Sequence, residues 1–79
     1  MEVILNLFAT LARYMPHEAK GNSCVLEVSE GTRVRDVLKT LKIPTEKVKL
    51  VFLNGVHARG DETLKHGDRI GVFPPIGGG

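Results

Sequence analysis

The pattern of apolar residues predicts an α+β domain: a mixed sheet of four to five strands with one main helix on one face. Three observations carry that expectation. Segments at both ends alternate apolar and polar residues with the period of a strand, Val3-Leu5-Leu7 at the start and Ile70-Val72 at the end. Between them a single stripe, Val34, Val37, Leu38 and Leu41, recurs at i, i+3, i+4, i+7, as along one side of a helix. The dipeptide Asn54-Gly55 follows an apolar run and marks a two-residue hairpin turn, because both residues tolerate positive φ.

The elements follow in order. Over residues 2–8, Val3, Leu5 and Leu7 share one face while Glu2, Ile4, Asn6 and Phe8 share the other. One apolar and one mixed face suit a central strand. Ala9 to Met15 holds helix formers and is expected to make a short helical turn, broken by Pro16 and the loop Gly21-Asn22-Ser23. Cys24 to Ser29 alternates again, with Cys24, Leu26 and Val28 on one side. Its short connection predicts an antiparallel neighbour for the first strand. Glu30-Gly31-Thr32 reads as a turn with Thr32 as the helix N-cap. Arg33, Arg35, Asp36, Lys39 and Lys42 fill the polar side of the helix. Pro44 is expected to end it, with a loop to Lys47. Lys49 to Leu53 is the next strand and Val56 to Ala58 the returning strand of the hairpin. Leu64 is a core anchor, His66-Gly67-Asp68 a tight turn, and Arg69 to Phe73 the last strand. No internal repeat or linker interrupts the series.

Composition narrows the function classes. Seventy-nine residues make one small domain, and a 42% hydrophobic, 25% charged chain is ordinary for a globular protein. A formal charge of +2, scattered basic residues, one Tyr and no Trp argue against nucleic acid and anionic membranes as partners. A single cysteine excludes an internal disulfide and a cysteine-rich zinc site. No apolar run approaches a membrane span, so the expected compartment is the cytoplasm.

Little in the body of the chain carries chemistry. His17, His57 and His66 are far apart and are expected to be solvated rather than catalytic or metal-binding. Cys24, facing inward from a strand, is expected to be inert. Asp36 and Glu46 have no partner carboxylate at a useful spacing. The glycines at 77–79 precede no helix and cannot cradle phosphate. A lone helix leaves the second sheet face uncovered, with Phe8 and Phe73 either a binding patch or ordinary scattered surface hydrophobes. The remaining feature is the end of the chain, Phe73-Pro74-Pro75-Ile76-Gly77-Gly78-Gly79. Two prolines stop the sheet ladder and three glycines follow. By themselves the glycines fit a frayed or appended terminus as well as a slender functional arm. Residues 1–76 are therefore expected to form the body and 77–79 a flexible tail ending in the Gly79 carboxylate.

Several segments together resemble the MoaD/ThiS family of ubiquitin-like, β-grasp sulfur carriers, and more the molybdopterin synthase small subunit than the thiamine carrier. They are Leu7-Phe8-Ala9-Thr10-Leu11, Gly31-Thr32 with the helix behind it, Leu53-Asn54-Gly55, and above all the run from Leu64 through Gly67-Asp68 and Phe73-Pro74-Pro75 to Gly79. The resemblance implies a carrier without turnover of its own and without a bound cofactor. Gly79 would be adenylated at the expense of ATP by an E1-like adenylyltransferase of the MoeB/ThiF kind, then thiocarboxylated. Gly77 and Gly78 would carry it into an acceptor resembling the molybdopterin synthase large subunit. Phe8, Phe73, Pro74, Pro75 and His57 would form the docking surface, His57 standing where an apolar contact residue is common. The same arm would also serve thiamine thiazole, cysteine or tRNA thiolation, or conjugation to protein lysines through Gly79.

Overall fold

The computed structural model describes residues 1–16 and 21–75. Five strands and one helix appear in sequence: β1 (Glu2–Leu7), β2 (Ser23–Glu27), α1 (Val34–Thr40), β3 (Leu50–Leu53), β4 (Val56–His57) and β5 (Arg69–Phe73). Two 3₁₀ turns, Ala9–Tyr14 and Thr45–Lys47, fill connections. The strands form one sheet in the order β2-β1-β5-β3-β4. β1 and β5 are parallel, and every other neighbour is antiparallel. The last strand in the chain is thus the middle strand of the sheet, which the linear order of segments does not reveal.

Period-two alternation determines which side of each strand is buried. Val3, Leu5, Leu7, Ile70 and Val72 are all fully buried on the side facing α1. Val34 and Val37 of the helix meet them, together with Leu11, Ile43, Val51, Ala58 and Leu64. Each buried Val, Leu or Ile here contributes about 1.5–3 kcal/mol by leaving water, so this layer holds the domain together.

Three local expectations need correction. The helix N-cap is Arg33 rather than Thr32. Thr32 is held in extended chain, where its carbonyl accepts from the Leu64 N–H at 2.9 Å and the next residue, Arg33, bridges to Thr63. The helix starts one residue later, and the Asp36 carboxylate closes it by accepting the Arg33 N–H at 2.9 Å. Pro44 does not end the helix either. The helix closes at Leu41, and Lys42 adopts a left-handed φ of 59°. Its N–H bonds the Lys39 carbonyl and the Ile43 N–H bonds the Leu38 carbonyl, the paired hydrogen bonds of a Schellman ending. Pro44 instead precedes the Thr45–Lys47 turn, in place of the expected loop.

The hairpin forms as expected, with φ of 53° at Asn54 and 81° at Gly55. Asn54 also has a second task. Its amide donates to Asp68 Oδ1 at 2.9 Å, and its Oδ1 accepts the Arg69 N–H at 2.9 Å. The hairpin is thereby fastened to the turn that starts β5. Asp68 closes that turn by accepting the Lys65 N–H at 2.7 Å.

Candidate functional site

The face of the sheet away from α1 has no covering layer among the described residues. Ladder register places Ile4 and Asn6 of β1, Arg69, Gly71 and Phe73 of β5, Leu50 and Phe52 of β3, and His57 of β4 on that side. Val25 joins them from β2, opposite Ile4, and is 60% exposed. At the centre, the rings of Phe8 and Phe73 stack with centroids 4.3 Å apart and planes 7° from parallel. Phe52 meets Phe73 edge-on at 5.6 Å, and His57 leans on Phe52 at 5.8 Å. Stacked and edge-on aromatic pairs contribute about 0.5–1.5 kcal/mol beyond their burial. The cluster is therefore a set surface rather than loose side chains, and Phe8 and Phe73 are half-buried against each other.

The stack lies over Gly71. A Cβ built there would meet Phe8 Cε2 at 3.5 Å and Phe73 Cε1 at 3.8 Å, ordinary van der Waals contact, so the rings rest against this stretch of β5 without requiring a glycine. A shallow groove of about 440 Å³ runs beside them, bounded by Asn6, Phe52, Gly55 and Arg69.

The other candidate residues divide sharply. Phe8, Phe73 and His57 are brought to this one face. Pro74 is buried and Pro75 exposed. Of the two prolines expected in the docking surface, Pro75 is thus the one exposed where β5 ends. Gly77, Gly78 and Gly79 lie outside the described residues, as does His17. His66 is not simply solvated: its Nδ1 accepts the Glu2 N–H at 3.0 Å and pins the start of β1. Cys24 faces the core, and partial burial pushes its thiol pKa up from the ordinary value, away from the thiolate that reacts. Among the described residues no group of His, Cys, Asp and Glu is placed to hold a metal ion. Among the same residues no helix is long and apolar enough to cross a membrane.

With this geometry in place, the match to known proteins is decisive. The model of the ThiS family matches residues 7–79. The chain belongs to that family. Its members are small ubiquitin-like sulfur carriers and modifiers, and the fold is the ubiquitin-like β-grasp. A putative molybdopterin converting factor subunit 1 from Pyrococcus furiosus is similar at 30% identity, over 95% of this chain and 98% of that one, with a TM-score of 0.73. SAMP1 from Haloferax volcanii is similar at 25% identity over the full length of both chains, with a TM-score of 0.75. Subunit 1 in the complex of subunits 1 and 2 of the molybdopterin-converting factor from Helicobacter pylori shares the fold at 22% identity, both chains fully covered and a TM-score of 0.63.

In this ThiS-family chain, sequence reasoning missed Phe52 and Gly71. Phe52 sits within the continuous apolar run Leu50–Leu53, where no alternation betrays its side. A signal existed. The two-residue Asn54-Gly55 turn pairs Phe52 with His57, so placing His57 on the open face places Phe52 there too. Gly71 had no such signal, because its place beneath the stack depends on rings contributed by the end of β1 and by β5 itself.

Proposed function

We infer that this chain is a sulfur carrier that donates sulfur from a Gly79 thiocarboxylate in the synthesis of molybdopterin. One observation carries it. β5 is the central strand, and its last residue, Phe73, stacks on Phe8. A partner seated on the open face would therefore hold the strand that leads into the C-terminal glycines. Similarity to the Pyrococcus molybdopterin converting factor subunit supports this choice of pathway.

The chemistry follows from what a carboxylate lacks. It is a poor electrophile until its oxygen is turned into a leaving group. In the E1-like adenylyltransferase, the Gly79 carboxylate attacks ATP, pyrophosphate leaves, and an acyl-adenylate forms. Hydrosulfide then attacks the acyl carbon and expels AMP, leaving a thiocarboxylate. In an acceptor resembling the molybdopterin synthase large subunit, the thiocarboxylate sulfur bonds to a carbon of a cyclic pyranopterin, and water cleaves the acyl–sulfur bond, returning Gly79 as a carboxylate. The chain supplies position rather than turnover. Gly77 and Gly78 have no Cβ to obstruct a narrow channel, and the aromatic face sets where the arm enters.

The test is intact-mass spectrometry of the chain after incubation with its activating enzyme, ATP and a sulfur donor. The full chain should gain the mass of one oxygen replaced by sulfur, and the chain lacking Gly79 should not, with both melting alike. Normal sulfur transfer by the shortened chain would refute the proposal. A second function is favoured by the likeness to SAMP1: conjugation through Gly79 to lysines of other proteins. Isopeptide-linked ladders in place of a free thiocarboxylate would identify that one.

A further inference from the structure

On the opposite side of the sheet, a second groove of about 470 Å³ lies between the Arg35 and Leu38 side of α1, the Thr45–Lys47 turn and the β3–β4 hairpin. Its floor is apolar, made by Leu38, Ile43, Val48, Val51 and Ala58. Its rim is basic: Arg35, Lys49 and Arg59, all exposed, with His57 at the open end. No acidic side chain lines it. The only ion pair among the described residues joins the N-terminal amine to Glu27, so the rim cations have no carboxylate within salt-bridge distance there. Glu62 lies in the adjoining loop, where its carboxylate accepts the Arg59 and Gly60 N–H groups at 2.7 and 2.8 Å and its charge partly offsets that of Arg59. With Arg35 and Lys49 beside the apolar trough, the rim still keeps an excess of positive charge in a chain whose overall charge is only +2.

The backbone adds a direction. The Ala58 N–H bonds the Val51 carbonyl at 2.8 Å. Alternation along the antiparallel ladder then makes Phe52 and His57 a pair without mutual hydrogen bonds. The N–H and carbonyl of His57 consequently point away from β3, along the free edge of the sheet. An extended chain laid there finds one backbone donor and acceptor, cations on both sides and an apolar floor below.

We propose that this basic-rimmed groove binds an extended acidic segment of a partner protein, with aliphatic side chains seated on Ile43, Val48 and Val51. The groove meets the aromatic face at His57, so a partner covering Phe8 and Phe73 reaches it by wrapping around the β4 edge. Charge complementarity selects the class of occupant. Single-stranded nucleic acid is disfavoured because none of the lining residues is Phe, Tyr or Trp, leaving no stacking platform for bases. The groove and its ligand do not involve Gly79, so the inference stands or falls apart from the sulfur chemistry.

The experiment is a titration of the ¹⁵N-labelled full chain with a synthetic acidic peptide carrying isoleucine and leucine at alternate positions. Amide shifts should concentrate on Ile43, Val48, Val51 and residues 57–60. Affinity should fall about tenfold in the Arg35→Glu/Lys49→Glu double variant, and fall again as salt is raised. If the double variant melts early, Arg59→Gln alone makes the same comparison. Shifts centred on Phe8, Phe52 and Phe73 would overturn the proposal. So would equal binding of a peptide with its acidic residues replaced by lysine, or displacement of the acidic peptide by inorganic phosphate or an RNA oligonucleotide at similar concentrations.

Discussion

The two faces of the sheet are built from the same strands, yet they divide the work of the protein. Toward α1 stand Val3, Leu5, Leu7, Ile70 and Val72, each with essentially no solvent exposure. One residue along, facing the other way, stand Ile4, Asn6, Gly71 and Phe73, all only partly buried. Stability is concentrated on the first face, and the proposed function places recognition on the second. Adjacent residues on a strand can thus fail in opposite ways when changed, which makes the division testable.

The largest expected effect falls on the covered face. Ile70→Ala should lower unfolding free energy by about 2–5 kcal/mol, read by chemical denaturation. It should leave the affinity of the molecules that stay folded unchanged for a docking partner. A small stability loss with a large affinity loss would erase the distinction. Three residues on, Phe73→Ala should do the reverse. Loss of the ring that contacts both Phe8 and Phe52 should weaken docking to the activating enzyme by more than about tenfold. Its stability cost should stay below that of Ile70→Ala. Unchanged affinity in a binding titration would sink the docking role of the face.

Smaller effects sharpen the contrast on the helix side. Lys42 occupies a left-handed position that favours glycine, so Lys42→Gly should raise stability by about 0.5 kcal/mol without altering docking. An unchanged or lowered melting temperature would mean that the Schellman ending stores no strain. The smallest effect concerns Glu62. Hydrogen bonds from the backbone of Arg59, Glu62 itself and Gly60, with the Arg59 charge, hold its carboxyl below the usual carboxylate range. A group with a depressed folded-state pKa stabilises the fold above its unfolded value and loses that contribution as pH falls through the folded one. Protection of the Arg59 and Gly60 amides from hydrogen exchange should therefore drop in mildly to strongly acidic solution. Glu62→Gln should flatten that pH dependence, and a pH step surviving in the variant would assign it to another group.

The open face was half legible in the sequence. Alternation in Glu2–Phe8 placed Phe8 on the mixed side, and alternation in Arg69–Phe73 gave Phe73. Nothing local announced that the two rings stack, because their meeting requires β1 and β5 to lie parallel and adjacent. That pairing joins segments separated by most of the chain. The burial of Pro74 was hidden for a related reason. A proline after a strand reads as a stop, while its environment depends on what packs across from it. The displaced helix cap at Arg33 has the same origin: Leu64 and Thr63 hold Thr32 and Arg33 in extended chain, so a contact across the fold overrode a local preference.

By itself the sequence determined the main helix and the strand segments, the apolar side of α1, β1, β2 and β5, and the hairpin at Asn54-Gly55. These depend on side-chain periodicity and on the φ that each residue tolerates, which are properties of neighbours in the chain. Only the tertiary structure decided that β5 lies at the centre of the sheet, that Gly71 lies beneath the aromatic rings, and that Arg35, Lys49 and Arg59 surround one groove. Those outcomes depend on which distant segments pair, and pairing is decided by burying the greatest apolar surface at once rather than by any local pattern.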